Sequence, residues 1–261
     1  MVPTMSMVFM GVSALVSVGL PVVLFLALRK KLNMKAVPAL VGVAGFVLFA
    51  MVLEQLMHMA VLRPDAGGNI ALIQERPALY VLYGIFAAGI FEETARLLGF
   101  MLLKKRYSGP GTGFAYGIGH GGIESAMMGI TMASNLVISL MLNAGTLPAE
   151  MQATLPANAL SQLAELAPAT FLAGGLERIF ALSIQISLSM LVWLAVNKKS
   201  SGGRSLIWLY PAAILLHAFV DLFAALYQIG RLTNIWVIEG VIALFALILP
   251  LLAWAACRKS K

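Results

Sequence analysis

Long runs of apolar residues, separated by short polar connections, dominate the chain. A helix needs about 20 predominantly apolar residues to cross a bilayer, and seven runs reach that length. The pattern predicts helices over 5–28, 36–62, 79–103, 111–142, 171–196, 206–229 and 235–257. The fourth run is longer than a straight crossing needs, so we expect it to tilt, kink at its glycines or continue beyond the bilayer.

The composition supports the same architecture. Of the 261 residues, 61% are hydrophobic and only 11% are charged, which excludes an ordinary soluble domain. We expect an all-α polytopic bundle that forms a single membrane domain over residues 1–261 and lies in the cell membrane, in contact with the lipid bilayer. The net charge of +7 does not indicate nucleic acid as a partner, because Lys and Arg gather in short connections between apolar runs.

Basic residues concentrate in alternate connections. Lys and Arg are frequent at 29–35, 104–106, 198–204 and 258–261, whereas the connection at 143–168 carries Glu150 and Glu165. Because cytoplasmic loops carry an excess of Lys and Arg, the pattern predicts an outside N-terminus and a cytoplasmic C-terminus. That orientation requires an odd number of crossings, which agrees with seven helices. An apolar stretch at 157–166 predicts a short interfacial helix outside.

Ionisable residues interrupt three of the predicted helices near their middle, where each is costly and usually functional. At about 1.5 Å per residue from the predicted cytoplasmic ends, Glu92, His120 and His217 lie roughly 14 to 17 Å deep. Groups at one depth on three helices predict a shared site near the midplane. The candidate site residues are Glu92, Glu93, Arg96, His120, Glu124, His217 and Asp221.

The first group combines two carboxylates with one arginine. Arg96 follows Glu92 by four residues and Glu93 by three, so its guanidinium can reach either carboxylate on the helix surface. Arg96 is therefore expected to hold one glutamate ionised and oriented. The alternative is a structural ion pair that only locks helices together.

The other two groups each lie on one face of a helix. Tyr116, His120 and Glu124 are spaced four residues apart, as are His217 and Asp221, so each set points in one direction. Small residues spaced by four run beside the first set and predict close approach of a neighbouring helix. They are Gly113, Gly117, Gly121, Ser125 and Gly129.

A second set of polar residues lies nearer the predicted outer face. Its members are Glu54, Gln55, His58, Glu177, Arg178 and Gln185. We interpret them mainly as structural contacts or as the lining of a water path, with Arg178 paired to Glu177 or Glu54. Six membrane carboxylates counted in these groups face only Arg96 and Arg178, so some must be protonated, paired, solvated or bound to a metal.

Three motifs together resemble one family. FEETAR at 91–96, GIGHGGIE at 117–124 and HAFVD at 217–221 look like the YhfC-type family of bacterial and archaeal membrane proteins. That family is related to the CAAX-processing and PrsW-like intramembrane proteases. The resemblance covers nearly the whole chain and includes GGLER at 174–178.

The resemblance implies an intramembrane endopeptidase that cleaves a membrane protein or peptide by a glutamic-type mechanism without a cofactor. Glu92 would be the general base on a water, helped by His120, and His217 would stabilise the oxyanion. Asp221 stands where related enzymes often have Asn, so it is expected to orient His217, since an anion cannot donate a hydrogen bond.

Three alternatives remain open. Zinc accepts two histidines and a carboxylate, which makes His120, His217 and one of Glu92, Glu93 or Glu124 candidate ligands of a metalloprotease. A transporter also lines its midplane with such groups, although no inverted repeat is evident. A non-catalytic membrane protein of the same fold is the third alternative.

Overall fold

A computed structural model describes residues 1–65, 69–156 and 158–260 of the chain, so Ala157 and Lys261, both included in the predictions above, lie outside it. The described residues form ten helices and contain no strand longer than an isolated bridge. The helices are α1 (Thr4–Leu28), α2 (Ala36–Leu62), α3 (Ala71–Glu75), α4 (Pro77–Leu103), α5 (Pro110–Ala144), α6 (Ala149–Thr154), α7 (Ala159–Glu165), α8 (Pro168–Asn197), α9 (Leu209–Gln228) and α10 (Ile235–Arg258).

The predicted all-α polytopic bundle is confirmed. Six helices in the described part of the chain, α1, α2, α5, α8, α9 and α10, are long and apolar enough to cross a membrane. The remaining long helix, α4, has 27 residues and carries Glu92, Glu93 and Arg96. These seven helices correspond to the seven predicted from the apolar runs.

Three of the helices that begin earlier than the apolar pattern indicates begin with a proline. Pro77, Pro110 and Pro168 occupy the first turn of α4, α5 and α8. Proline suits this position because its fixed φ is already helical and its missing N–H would have no intrahelical partner. The fourth run forms one helix of 35 residues, α5. Gly145 follows its last residue with a φ of 68°, the left-handed conformation that is common after helices.

Helix α8 lies at the centre of the bundle, in contact with α1, α4, α5, α9 and α10. Its second half is buried on all sides, and Leu188, Val192 and Leu194 are fully enclosed. Phe100 from α4, Tyr116 from α5 and Leu249 from α10 belong to the same core. This core fixes the helices that carry the candidate site.

Helix α5 packs closely on two neighbours through its small residues, as predicted. On one face, a Cβ at Gly117 would meet the backbone of Ile186 in α8. On the other, a Cβ at Gly119 would overlap the carbonyl oxygen of Ala39 in α2. These approaches place His120, which lies between the two faces, in the interior of the bundle.

The basic connections gather at one end of the bundle. The backbone N–H and the hydroxyl of Ser201 both donate to Lys259 O, at 3.0 and 2.9 Å, and so tie the connection after α8 to the end of α10. A cavity at this end is lined by residues that include Pro110 and Cys257. At the opposite end, the backbone N–H of Val2 donates to Asn143 Oδ1 at 2.7 Å. The cytoplasmic placement of the basic end stays a prediction.

Candidate active site

Glu92 is the centre of the candidate site. Its Oε2 lies 2.9 Å from His120 Nε2 and accepts a hydrogen bond from Gln185 Nε2 at 3.2 Å. Arg96 Nη2 lies 3.6 Å from the same oxygen. Three helices, α4, α5 and α8, therefore meet at one carboxylate oxygen.

Glu93 forms a second, fully buried cluster beside the first. Its Oε1 accepts from Arg96 Nη1 at 2.6 Å and lies 2.7 Å from His217 Nδ1. Arg96 also donates from Nε to Ser189 Oγ at 3.1 Å and from Nη2 to Gln185 Oε1. The spacing predicted that Arg96 can reach either carboxylate and holds one of them; its guanidinium lies within ion-pair distance of both and also ties α4 to α8.

The ring of His217 lies among three carboxylates. Its shortest contact is from Nδ1 to Glu93 Oε1, at 2.7 Å. Its Nε2 lies 3.9 Å from Glu92 Oε2 and 3.5 Å from Asp221 Oδ2. Asp221 lies beside the other ring nitrogen, and its predicted role in orienting His217 stays a prediction. The sequence could not show which of the two adjacent glutamates meets His217, because the rotation of the helix sets their separate partners.

His120 is held between two aromatic rings. Phe46 meets it edge-on with ring centroids 5.1 Å apart, and Tyr116 stacks on it at 5.9 Å. The His120 side chain is fully buried, and its Nδ1 has no hydrogen-bond partner among the described residues. The polar interaction of this ring with the described residues is therefore the contact between Nε2 and Glu92.

Gln185 on α8 and Glu124 on α5 extend the site. Glu124 Oε2 accepts from Gln185 Nε2 at 2.6 Å, and its Oε1 accepts from Arg178 Nη1 at 3.0 Å. Arg178 also pairs with Glu177, one of the two partners predicted for it. Glu124 thus joins the site through Gln185 and does not contact Glu92 directly.

Two polar residues escaped the sequence reasoning. Gln185 was grouped with outer structural contacts, although its spacing of four from Ser189 places both on the α8 face that meets Arg96. Glu239 on α10 was left out of the count of membrane carboxylates. It is buried, and its Oε2 has no hydrogen-bond partner among the described residues. Its position within an apolar run was the signal available in the sequence.

The site has a closed half and an open half. The side chains of Glu93, Arg96 and His120 are fully buried. By contrast, Asp221 keeps 34% of its side-chain area exposed and Glu124 keeps 24%. Of the candidate site residues, these two carboxylates have the most exposed side chains.

The sequence model of the YhfC intramembrane metalloprotease family matches residues 14–242 of the chain. The chain belongs to this family. The membrane protein YhfC of Bacillus subtilis (strain 168) is 34% identical over 253 residues, which is 94% of each chain. No solved structure matches. Membership supports a multi-pass membrane protein with intramembrane protease activity.

The YhfC family description implies a metal, and the site suits zinc in donor type but not in arrangement. His120, His217 and Glu92 are donors that zinc accepts. However, His120 Nε2 is directed at Glu92, and Arg96 Nη2 lies 3.6 Å from the same Glu92 oxygen, where a cation would be repelled. No cluster of three or more His, Cys, Asp or Glu side chains within 1–65, 69–156 and 158–260 is placed to hold a metal ion.

Proposed function

We propose that the protein is an intramembrane endopeptidase in which Glu92 activates a water for attack on a peptide bond. The observation that carries this proposal is the difference between the two oxygens of Glu92. Oε2 is fixed by His120 and Gln185, whereas Oε1 accepts no hydrogen bond from any described residue, in a side chain that keeps 10% exposure. Oε1 is therefore free to hold a water.

The proposed reaction is a hydrolysis with one proton carrier. As the water oxygen bonds to the carbonyl carbon, its proton passes to the Glu92 carboxylate. The carbon–nitrogen bond then breaks, and the departing amine takes the same proton back from Glu92. One water is consumed, and an acid and an amine are released.

His217 is the proposed stabiliser of the oxyanion. When its ring is protonated, Nδ1–H donates to Glu93 and Nε2–H remains for the developing negative charge. Nε2 lies 3.9 Å from Glu92 Oε2, so a reacting carbonyl group between them is within reach of both. Asp221, at 3.5 Å from Nε2, favours the protonated ring.

Arg96 gives the two adjacent glutamates different roles. Adjacent carboxylates tend to share one proton, which would remove the base. The Arg96 guanidinium contacts Glu93 Oε1 at 2.6 Å and stands 3.6 Å from Glu92 Oε2, so one buried cation lies within ion-pair distance of both carboxylates. Glu93 is thereby committed to Arg96 and His217, and Glu92 is left as the base.

Zinc catalysis is the second candidate, favoured by one observation besides the family description. Nε2 of His120 and Nε2 of His217 both point towards Glu92 Oε2, at 2.9 and 3.9 Å. A metal in place of these contacts would be held by the same three residues and would supply an activated water. The two candidates share their residues and differ in metal dependence.

The test is a comparison of Glu92→Gln with wild type by proteomics of membrane peptides in cells. The amide keeps the size of the carboxylate but is not a base, so we expect turnover to fall by about 10²-fold or more. Glu75→Gln, at an exposed carboxylate on α3, is the matched control and should retain activity. Unchanged cleavage products in Glu92→Gln cells would remove Glu92 from the reaction.

A further inference from the structure

A cavity of about 360 Å³ borders the candidate site between α2, α4 and α9. Its walls on α4 and α9 each include two small residues, Gly84 and Ala88 on one helix and Ala224 and Ala225 on the other, beside larger ones. Along α4 it extends from Tyr80 to Ala88, which is about 12 Å at 1.5 Å per residue. Small side chains therefore leave a groove between two helices that otherwise pack together.

The inner end of this cavity is continuous with the site. Asp221 lines it, and Asp221 Oδ2 lies 3.5 Å from His217 Nε2. At the other end, Tyr80 donates to Gln228 Oε1 at 3.2 Å near the exposed end of the bundle. The cavity thus connects the open half of the site to the end where α4 begins and α9 ends, which is opposite the basic connections.

One wall of the cavity is polar and ordered. His58 Nε2 lies 3.3 Å from Glu54 Oε1, and His58 Nδ1 lies 2.8 Å from the Tyr83 hydroxyl. When the neutral His58 ring donates from Nε2 to Glu54, its Nδ1 accepts a hydrogen bond from the Tyr83 hydroxyl. The lone pairs of the Tyr83 oxygen then remain available to accept from a ligand in the cavity.

Glu54 reaches this position through an unusual stretch of α2. The helix is π-helical over Val47–Glu54, and Glu54 is buried at the end of that stretch. Such π-helical turns are rare and are frequently found at functional sites. Glu54 and His58, interpreted from the sequence mainly as structural contacts, thus hold the Tyr83 hydroxyl at the cavity wall.

We propose that this cavity is a vestibule that binds an extended peptide segment with small side chains and leads it to His217 and Glu92. The inference rests on the proposed protease function. At about 3.3 Å per residue, an extended segment over 12 Å places about three residues in the cavity. Inside a membrane, an unfolded backbone needs hydrogen-bond partners from the protein, and Tyr83 supplies an acceptor for a substrate N–H. The substrate enters from the end opposite the basic connections.

Cysteine accessibility tests the vestibule without requiring catalysis. In the Cys257→Ser background, which removes the single native cysteine, Ala88→Cys should react with a membrane-impermeant methanethiosulfonate reagent added outside sealed cells. Ile90→Cys is the matched control, because Ile90 lies two residues away on α4 and 48% of its surface is exposed outside the cavity. We expect at least tenfold faster modification of Ala88→Cys. Equal rates, or modification of Ala88→Cys only from the cytoplasmic side, would overturn the proposal.

Cleavage kinetics test the peptide-binding role. Ala88→Leu should fill the cavity and raise KM, whereas Ile90→Leu should leave KM unchanged. Tyr83→Phe removes one acceptor and should raise KM about fivefold, with a smaller effect on kcat. If Ala88→Cys is labelled as expected but the protein cleaves nothing, the access route stands and the proposed protease function is wrong. If the protein cleaves its substrate with an unchanged KM in Ala88→Leu and Tyr83→Phe, the cavity does not bind the substrate peptide.

Discussion

His120 Nε2 lies 2.9 Å from Glu92 Oε2, although the two residues are 28 positions apart on different helices. Glu92 Oε2 is held by this contact and by Gln185, so the direction of Oε1 depends on it. We predict that His120→Ala lowers kcat by about 10²-fold, because the base loses its orientation. His120→Gln, which retains an N–H donor, should recover part of the rate. Equal rates for both variants would show that the hydrogen bond has no part in turnover.

Arg96 is predicted to be the main electrostatic support of the bundle interior. Arg96→Met leaves Glu93 fully buried without its cation, which costs about 3–5 kcal/mol of unfolding free energy. Thermal unfolding of the protein in detergent measures the loss.

A second substitution provides the control for Arg96. Glu93→Gln in the Arg96→Met background removes the uncompensated charge and should restore part of the stability, giving a non-additive double-mutant cycle. Additive losses would mean that the two side chains do not act as a pair.

The sequence was sufficient to predict the helices and the convergence of the site. Apolar runs of membrane-spanning length correspond to the seven long helices, whereas the short helices α3 and α6 were not predicted. Common depth correctly grouped Glu92, His120 and His217. Depth cannot specify which carboxylate meets which histidine, because that depends on the rotation of α4 relative to α9. Glu93 therefore emerged as the partner of His217 Nδ1 only in the structure.

Gln185 illustrates a second limit. Its amide joins Glu92, Glu124 and Arg96. An uncharged residue in an apolar run gives a weak signal, because its cost in a membrane is lower than that of a charge. Only the packing of α8 at the bundle centre identifies the carboxylates that its amide contacts.

Close packing of α5 against α2 predicts an asymmetric response to added methyl groups. Gly119→Ala should lower the unfolding free energy by about 1–3 kcal/mol, because its Cβ would overlap Ala39 O. Gly240→Ala, on α10, is the control, since nothing lies within 4 Å of its added Cβ. Thermal unfolding of both variants checks the contrast, and equal midpoints would contradict the packing.

The orientation in the membrane is predicted from the basic connections. In the Cys257→Ser background, Ala153→Cys on α6 should react with an impermeant thiol reagent in intact cells. Gly202→Cys, in the basic connection after α8, should react only after permeabilisation. The reverse pattern would invert the topology and would move the proposed substrate entry to the cytoplasmic side.

Metal dependence separates the two catalytic candidates. If Glu92 acts as base without a metal, a zinc chelator should leave the cleavage rate unchanged, and purified active protein should carry far less than one zinc per chain by elemental analysis. The physical reason is the Arg96 guanidinium, which stands 3.6 Å from the Glu92 oxygen that a metal would need. Reversible loss of activity on chelation, with near-stoichiometric zinc, would instead assign His120, His217 and Glu92 as ligands. His217→Ala distinguishes the roles further: a ligand variant loses zinc and activity together, whereas a variant of the oxyanion stabiliser loses rate while metal content stays unchanged.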